Sequence, residues 1–433
     1  MHKKFDLFTA TGIVVASMVG TGVFTTLGFQ ASGLHAEFPI LFLWCLGGFL
    51  AILGGLCYGE LGAAFPRSGG EYNYLSKLYH PSLGFVSGSV SATIGFPAPI
   101  ALSSIAFGKY LQTIFPQLSV KASAIALVLV LSIIQAFHRD YGKKLQNTLF
   151  SIKLCLLVVL IIAGFLLYSP QHNPTFTFFH SNDLSKILSP GFAIALIYAS
   201  YAYSGWNSST YIAGEIVEPE KNVMRSVLIG TFLVSILYIL LNFVFLLTIP
   251  MDILAGKIEI GFLYSERLFG DAGGKLMSSI IALLLASSVS SLLIIGPRIV
   301  KTMGEDYPSL KYLSKENANG SPVQAIVQQT LIVIVFILTS SFEAVLSFIG
   351  FTLSMITTLT VAGIFIIRYK QIPCKYRTPA YPLTPLVYIA LNCWMMYYLL
   401  THKTQESLFG LAIIGASLIL YFNLAKSPRN TTG

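Results

Sequence analysis

Residues 16–24 read ASMVGTGVF and interrupt an apolar run, residues 7–30, that is otherwise long enough to cross a membrane. Gly20 and Gly22 flank Thr21, and a glycine weakens a helix by about 1 kcal/mol relative to alanine. A break inside hydrocarbon leaves backbone N–H and C=O groups unpaired, at a cost of several kcal/mol each. The stretch therefore predicts either a polar ligand at the break or a close contact with a neighbouring helix.

The contact alternative rests on the spacing of small residues. Gly12, Ala16 and Gly20 recur every four residues, which is typical of tightly packed membrane helices, and by itself this stripe favours packing. A second polar, Gly-containing break, SGWN at residues 204–207, interrupts a later apolar run. Paired interruptions at corresponding positions of two halves indicate a transporter binding site. The two interruptions together favour a ligand at residues 18–22. The small residues from Gly12 to Gly20 are still expected to pack against a neighbouring helix.

Apolar runs continue along the whole chain. Hydrophobic residues make up 55% of the sequence and charged residues 10%, which excludes an ordinary soluble domain. About twelve runs are long enough to span a bilayer. They lie at residues 7–30, 39–64, 84–113, 121–137, 147–168, 190–214, 226–249, 273–296, 323–340, 344–367, 383–401 and 407–424. The sequence predicts an all-α polytopic membrane protein.

The two breaks fall in spans one and six, so the first ten spans divide into two sets of five. We expect one membrane transport domain over residues 1–424, followed by a short cytoplasmic tail, residues 425–433. Within it we expect a first five-helix repeat, a second five-helix repeat and two additional helices, at residues 1–168, 190–367 and 383–424.

The positions of the basic residues indicate how the protein is oriented in the membrane, and the positions of the histidines and cysteines limit which metal or enzyme sites it can form. Most of the 27 lysine and arginine residues fall on the cytoplasmic side if both termini are cytoplasmic. We expect a multi-pass protein of a bacterial inner (plasma) membrane, with lipid headgroups rather than nucleic acid explaining the net charge of +9. The seven histidines lie outside the spans and the five cysteines show no CxxC spacing. The sequence predicts no metal site, no cofactor and no enzymatic activity.

A free amino acid meets the chemical demand of two broken helices. Its carboxylate accepts from N–H groups at the positive end of one half-helix, and its ammonium donates to carbonyls at the negative end of another. Glycine at the break lets the backbone approach such a ligand closely.

Five motifs in order make the chain recognisable. They are GTGVF at residues 20–24, GELGAAFPRSGGEYNYL at 59–75, YAYSGWNSSTYIAGEIVEPEKNVMRS at 201–226, PRIVKTMGEDYPSL at 297–310 and RTPAYPLTPL at 377–386. Through Glu60, Pro66, Ser68 and Tyr72 the second motif is similar to the E-L-x-x-x-x-P-x-S-G-G-x-Y signature of the amino acid-polyamine-organocation (APC) superfamily. The chain resembles that superfamily over nearly its whole length, and most closely its L-type amino acid transporter (LAT) branch.

The resemblance implies a five-plus-five inverted-repeat (LeuT-like) fold with discontinuous helices 1 and 6, alternating access, and a substrate site between these helices. It assigns the substrate carboxylate to the backbone of Thr21 and Gly22, with Gly20 permitting approach. The resemblance assigns the substrate ammonium to backbone carbonyls of both breaks, those of Met18, Tyr201, Ala202 and Ser204. It assigns stabilisation of the unwound turn to Asn207. It assigns gating of the site to Tyr201 and Trp206.

Two departures from the family pattern affect these assignments. The usual gate aromatic is Phe, so the hydroxyl of Tyr201 is expected to alter gating or selectivity. The family's N-P-x-R after span six is here Asn222-Val223-Met224-Arg225.

Lys153 lies about two turns into span five, where a charge costs at least about 2.5 to 3.5 kcal/mol at the membrane centre. From depth alone, snorkelling to the cytoplasmic surface is as good an explanation as function. The resemblance favours function, because sodium-independent relatives carry a lysine here that bridges the first break to hydroxyls of span eight. Ser287 and Ser288 supply such hydroxyls. The sequence leaves open whether this ammonium replaces sodium or couples transport to protons.

The acidic residues at the cytoplasmic ends form one group, consisting of Glu60, Glu71, Glu215, Glu218 and Glu220. For any single member we favour a solvated, topology-setting charge over a role in function. As a group they are candidates for an inner gate.

The expected pocket contains no acidic residue, so a second substrate ammonium would be buried without a partner. We expect a neutral L-amino acid. The alternatives are a polyamine or basic amino acid exchanger of the same superfamily and a non-transporting amino acid sensor. The loop after span three, near residues 115–121, has no cysteine, so no disulfide-linked heavy subunit is expected.

Overall fold

The computed structural model describes residues 5–65, 69–137, 142–170, 176–213 and 216–425. Pro66, Ser68, Glu215 and residues 426–433 of the predicted tail lie outside the described residues. Within these ranges the chain is helical, and its one isolated β-bridge joins Phe5 to Ile216.

Each predicted span corresponds to a helical segment, and we label these segments α1 to α12. Their helical stretches are α1 (Leu7–Met18, Gly22–Thr25 and Leu27–Leu34), α2 (Glu37–Ala64), α3 (Pro81–Val90 and Pro97–Ile114), α4 (Val120–Phe137), α5 (Gly142–Leu167), α6 (Pro190–Ala202 and Ser208–Tyr211), α7 (Pro219–Thr248), α8 (Ile260–Asp306), α9 (Val323–Thr339), α10 (Phe342–Tyr369), α11 (Leu383–His402) and α12 (Thr404–Ala425). In the described part of the chain nine helices are long and apolar enough to cross a membrane, and shorter apolar helices lie in α5, α6 and α9. The predicted all-α polytopic fold is confirmed.

Four pairs of helices that lie five apart in the chain pack against each other. α2 packs along α7 and α3 along α8 more extensively than any other pairs, α4 packs on α9, and the two parts of α6 contact α1. α11 and α12 pack on the outside, against α10 and other helices.

Local sequence explains where α1 begins and breaks. Asp6 caps its N-terminus by accepting from the Thr9 N–H at 2.9 Å. The first stretch ends at Met18, because the ψ angle of 83° at Val19 leaves the helical region. Gly22 starts the second stretch, so the break lies at the stretch that the sequence singled out.

Three details differ from or extend the sequence prediction. α8 begins at Ile260 rather than near 273 and runs to Asp306, with a kink at Gly270, whose φ is 73°. The connection before α3 contains a short helix, Gly70–Leu78, which we call the loop helix. Between its two stretches α3 forms a π-helical turn, Ser91–Gly95, because Pro97 has no N–H to continue the α-helical ladder.

Large apolar side chains cover the outside of the bundle. Leu166, Phe409 and Phe232 are 77%, 68% and 60% exposed. Many exposed large apolar side chains on helices long enough to cross a membrane mark a protein whose outer face meets lipid. The chain is an integral, multi-pass membrane protein.

Candidate functional site

The two broken helices face one cavity of about 1760 Å³. Its wall includes both breaks, the π-helical turn of α3, and residues of α5, α8 and α10. It reaches the end of the bundle that carries the N-terminus, where Phe8 lines it and is 86% exposed. The cavity is therefore accessible from that end.

The break in α1 offers hydrogen-bond donors to the cavity. The first N–H groups of a helix have no acceptor within it. No hydrogen bond described for this segment uses the N–H of Thr21 or Gly22. A Cβ added at Gly20 would meet nothing closer than the Met18 carbonyl oxygen, at 3.9 Å, so the approach to these donors is open.

The stripe of small residues in α1 faces this same space. A Cβ added at Gly12 would meet nothing within 4 Å, and Gly12, Ala16 and Gly20 all line the cavity. The prediction that the stripe packs against a neighbouring helix is wrong. Small residues here widen the cavity instead of seating a partner helix.

The Met18 carbonyl, which the resemblance assigned to a substrate ammonium, already has donors. The Tyr238 hydroxyl of α7 donates to it at 2.7 Å and the Gly20 N–H at 2.8 Å. Tyr238 is fully buried, and its role has no sequence signal, because it lies in an ordinary apolar run rich in aromatic residues.

The break in α6 offers acceptors. The Tyr201 carbonyl accepts from the Ser204 N–H at 2.9 Å, whereas no backbone donor among the described residues uses the Ala202 or Ser204 carbonyl. Gly205 has a φ of 97°, which favours glycine, and a Cβ there would lie 2.6 Å from the Ser17 carbonyl oxygen. Only glycine lets this turn lie so close to α1.

The two breaks also meet on the closed side of the cavity. A Cβ added at Gly22 would lie 2.4 Å from the Ala202 Cα, and the Thr21 and Tyr201 hydroxyls are 3.2 Å apart. Farther from the open end, the Gly256 N–H donates to the Gly28 carbonyl at 2.9 Å. These contacts close the cavity beyond Tyr201, the residue expected to act as an outer gate.

Trp206, the second expected gate residue, lies in the cavity wall. Its ring packs edge-on against Tyr58 of α2, with centroids 4.8 Å apart, and a Cβ added at Gly54 would lie 2.9 Å from it. Asn207 follows in the same turn and lines the cavity.

Lys153 reaches the cavity from α5. Its Nζ donates to the Ser288 hydroxyl at 2.6 Å, and a small adjoining cavity lies between Lys153, Ser288, Gly20 and Phe24. Ser287 does not line either cavity, and its carbonyl accepts from the Ser291 hydroxyl. None of the ion pairs between described residues includes Lys153.

Glu71 of the loop helix also lines the cavity and is only 5% exposed. Its Oε1 accepts from the Tyr58 hydroxyl at 2.8 Å and from Asn207 Nδ2 at 2.7 Å, and its Oε2 accepts from the Tyr211 hydroxyl. The prediction that no acidic residue lies in the pocket is wrong. Glu71 was missed because its polar loop context is typical of a solvated charge.

The other described acids of the predicted inner group lie outside the cavity lining. Glu60 is fully buried and pairs with Arg368 of α10, with Oε1 2.7 Å from Arg368 Nε. Lys375 pairs with Glu220 at 2.6 Å, and hydrogen bonding to Glu220 raises the pKa of Lys375. Among the described residues no group of three or more His, Cys, Asp or Glu side chains is arranged to hold a metal.

Comparison with known proteins identifies similarity to one family. A family model described as amino acid permease matches residues 5–419. The chain is 25% identical over 432 residues to the human b(0,+)-type amino acid transporter 1, covering 98% of this chain and 88% of that protein. It is 24% identical over 436 residues to the human large neutral amino acids transporter small subunit 2, covering 98% and 80%.

Proposed function

Because the chain belongs to the amino acid permease family, within the APC superfamily and its L-type branch, we propose that it carries amino acids across a membrane by alternating access. It is not an enzyme. The observation that carries this proposal is the pair of broken helices at one cavity, one offering N–H groups and the other carbonyl groups.

The proposed pose follows from which backbone groups lack partners. The substrate carboxylate accepts from the N–H groups of Thr21 and Gly22, on the side that also carries the Lys153 ammonium. The substrate ammonium donates to the carbonyls of Ala202 and Ser204. Met18 and Tyr201 contribute side-chain surface in this pose, because their carbonyls already have donors.

We propose a neutral L-amino acid as the substrate. Ser204 and Asn207 are uncharged, and Trp206 and Tyr201 offer apolar surface for a side chain. The buried carboxylate of Glu71 is the one observation that favours a basic amino acid or a polyamine instead. Because three donors already hold that carboxylate, it is poorly placed to receive a second substrate ammonium.

Lys153 supports sodium-independent transport in this proposal. Its ammonium joins α5 to Ser288 of α8 beside the α1 break, where a bound sodium ion would otherwise join the same helices. The coupling is exchange or proton symport.

We propose that this conformation faces the cytoplasm. Both termini are then cytoplasmic, in a bacterial inner membrane, with repeats at residues 1–168 and 190–367 and additional helices at 383–424. The loop near residues 115–121 has no cysteine, which supports a protein without a disulfide-linked heavy subunit.

Uptake into proteoliposomes tests the proposal. The purified protein is offered each of the twenty amino acids, with and without an internal amino acid load and with and without a pH gradient. We expect saturable, sodium-independent uptake of neutral amino acids, stimulated by the internal load or by the gradient. Saturable binding without uptake under any of these conditions would identify a sensor, and preferential uptake of lysine, arginine or a polyamine would overturn the neutral assignment.

A further inference from the structure

Glu71 lies at the meeting point of three elements of the cavity wall. It is on the loop helix, and its three hydrogen-bond donors lie on α2 (Tyr58) and on the α6 break and the helical turn after it (Asn207 and Tyr211). All three donors are uncharged, and none of the ion pairs between described residues includes Glu71. The wall on the α6 side therefore carries a buried carboxylate that takes part in none of the ion pairs described.

Backbone geometry brings this carboxylate into place. Gly70 has a φ of 52°, and a Cβ there would lie 2.5 Å from the Tyr211 ring. Glycine is the residue that tolerates both the positive φ and this close approach. The start of the loop helix is thus shaped to seat Glu71 against α6.

The contacts of Glu71 continue into the parts of the site that touch substrate in the proposed pose. Through Asn207 it holds the unwound turn whose carbonyls face the cavity, and through Tyr58 it fixes the ring that packs against Trp206. A negative charge close to these carbonyls strengthens their attraction for an ammonium group, because buried charges are weakly screened.

We propose that Glu71 is a positioning residue for the substrate's α-ammonium group, acting through Asn207 and through its charge. The inference rests on the proposed function and adds to it a specificity role for the loop helix. Lys153 is half-buried at the carboxylate side of the pose and Glu71 is buried at the ammonium side, so the two charges match the dipole of a zwitterionic substrate.

Kinetics of Glu71→Gln test this role. The substitution keeps the shape and removes the charge, and we expect KM for the best neutral L-amino acid to rise about tenfold, with Vmax within about twofold of the unaltered protein. The matched control is Asp271→Asn, which neutralises an exposed acid paired with Lys275 and placed in no part of the proposed site or gate. We expect it to leave KM unchanged.

Competition by an analogue without the amino group separates charge from packing. The unaltered protein should prefer the amino acid over its deaminated analogue, in which hydrogen replaces the α-amino group. In Glu71→Gln this preference should fall about tenfold, because only the amino acid loses an interaction. A structural defect would weaken both competitors equally.

Exchanging the acid and the amide between positions 71 and 207 tests whether their hydrogen bond can be restored. Asn207→Asp alone places two carboxylates where a 2.7 Å hydrogen bond lay, and we expect uptake to be lost. The double variant Glu71→Gln with Asn207→Asp restores one acid and one amide, and we expect it to recover most of the affinity.

The outcomes separate this inference from the proposed function. If the unaltered protein takes up no amino acid, the proposed function fails and this inference fails with it. If the unaltered protein transports but Glu71→Gln keeps its KM and its preference for the amino acid, only the role of Glu71 is overturned. Equal weakening of both competitors, with no recovery in the swap, also overturns it.

Discussion

The breaks in α1 and α6 both expose backbone polar groups to the cavity, but the charged side chains beside them have opposite signs. Among the described residues, the α1 break presents N–H groups without a backbone acceptor beside the Lys153 ammonium, whereas the α6 break presents carbonyls without a backbone donor beside the Glu71 carboxylate. Each charge is held by uncharged groups, Ser288 on one side and Tyr58, Asn207 and Tyr211 on the other. This difference is the basis of our proposal that the site distinguishes the two ends of a zwitterion.

Of the substitutions that test this difference between the two breaks, Lys153→Ala should reduce uptake the most. The change removes the only charge described beside the α1 break, and we expect uptake to fall about 100-fold. The initial rate of uptake into proteoliposomes measures it. Lys275→Ala is the matched control, because Lys275 is exposed and pairs with Asp271 outside the cavity lining. Full uptake by Lys153→Ala would refute the role of the lysine.

Replacing Gly205 with alanine should separate the two breaks sterically. A Cβ there would lie 2.6 Å from the Ser17 carbonyl oxygen, and the positive φ disfavours alanine. We expect the free energy of unfolding in detergent to fall by about 1–3 kcal/mol, with a lower Tm and reduced uptake. Gly415→Ala, where a Cβ would meet nothing within 4 Å, serves as the control. An unchanged Tm in Gly205→Ala would show that the breaks do not depend on this contact.

Replacing Ser288 with alanine should sharpen the account of Lys153. The hydroxyl is the hydrogen-bond partner described for the ammonium, at 2.6 Å, so its loss should lower uptake about tenfold. Ser287→Ala is a matched control on the neighbouring residue, since its side chain does not line the cavity. The same uptake measurement serves both variants. Equal effects of the two substitutions would contradict the specific role of Ser288.

Replacing Tyr201 with phenylalanine should have the smallest effect. It removes one hydrogen bond, to the Thr21 hydroxyl at 3.2 Å, and leaves the ring that closes the cavity. We expect uptake to change by about threefold or less. A complete loss would show that the hydroxyl itself, and not the ring, forms the gate.

The sequence predicted the α1 side better than the α6 side. Lys153 stands out because a charge within an apolar run is costly, and glycines within such a run show where the helix breaks. Glu71 lies in a polar loop, where a charge costs nothing by itself. Its burial depends on contacts with Tyr58, 13 residues away in sequence, and with Tyr211, 140 residues away. Tertiary contacts of this kind leave no local pattern.

The small-residue stripe of α1 shows a second limit. Spacing every four residues identifies one face of the helix, but not whether that face meets a helix or a cavity. Gly12 and Gly20 face the open cavity. The sequence therefore predicted which face of α1 carries small residues, but not that this face lines a cavity. The π-helical turn, Ser91–Gly95, was likewise missed, although Pro97 is the sequence signal that accompanies it.

A structure determined with a bound neutral amino acid tests the central claim most directly. We predict its carboxylate about 3 Å from the N–H groups of Thr21 and Gly22, and its ammonium about 3 Å from the Ala202 and Ser204 carbonyls. An amino acid bound in the reverse orientation, or away from both breaks, would contradict the account.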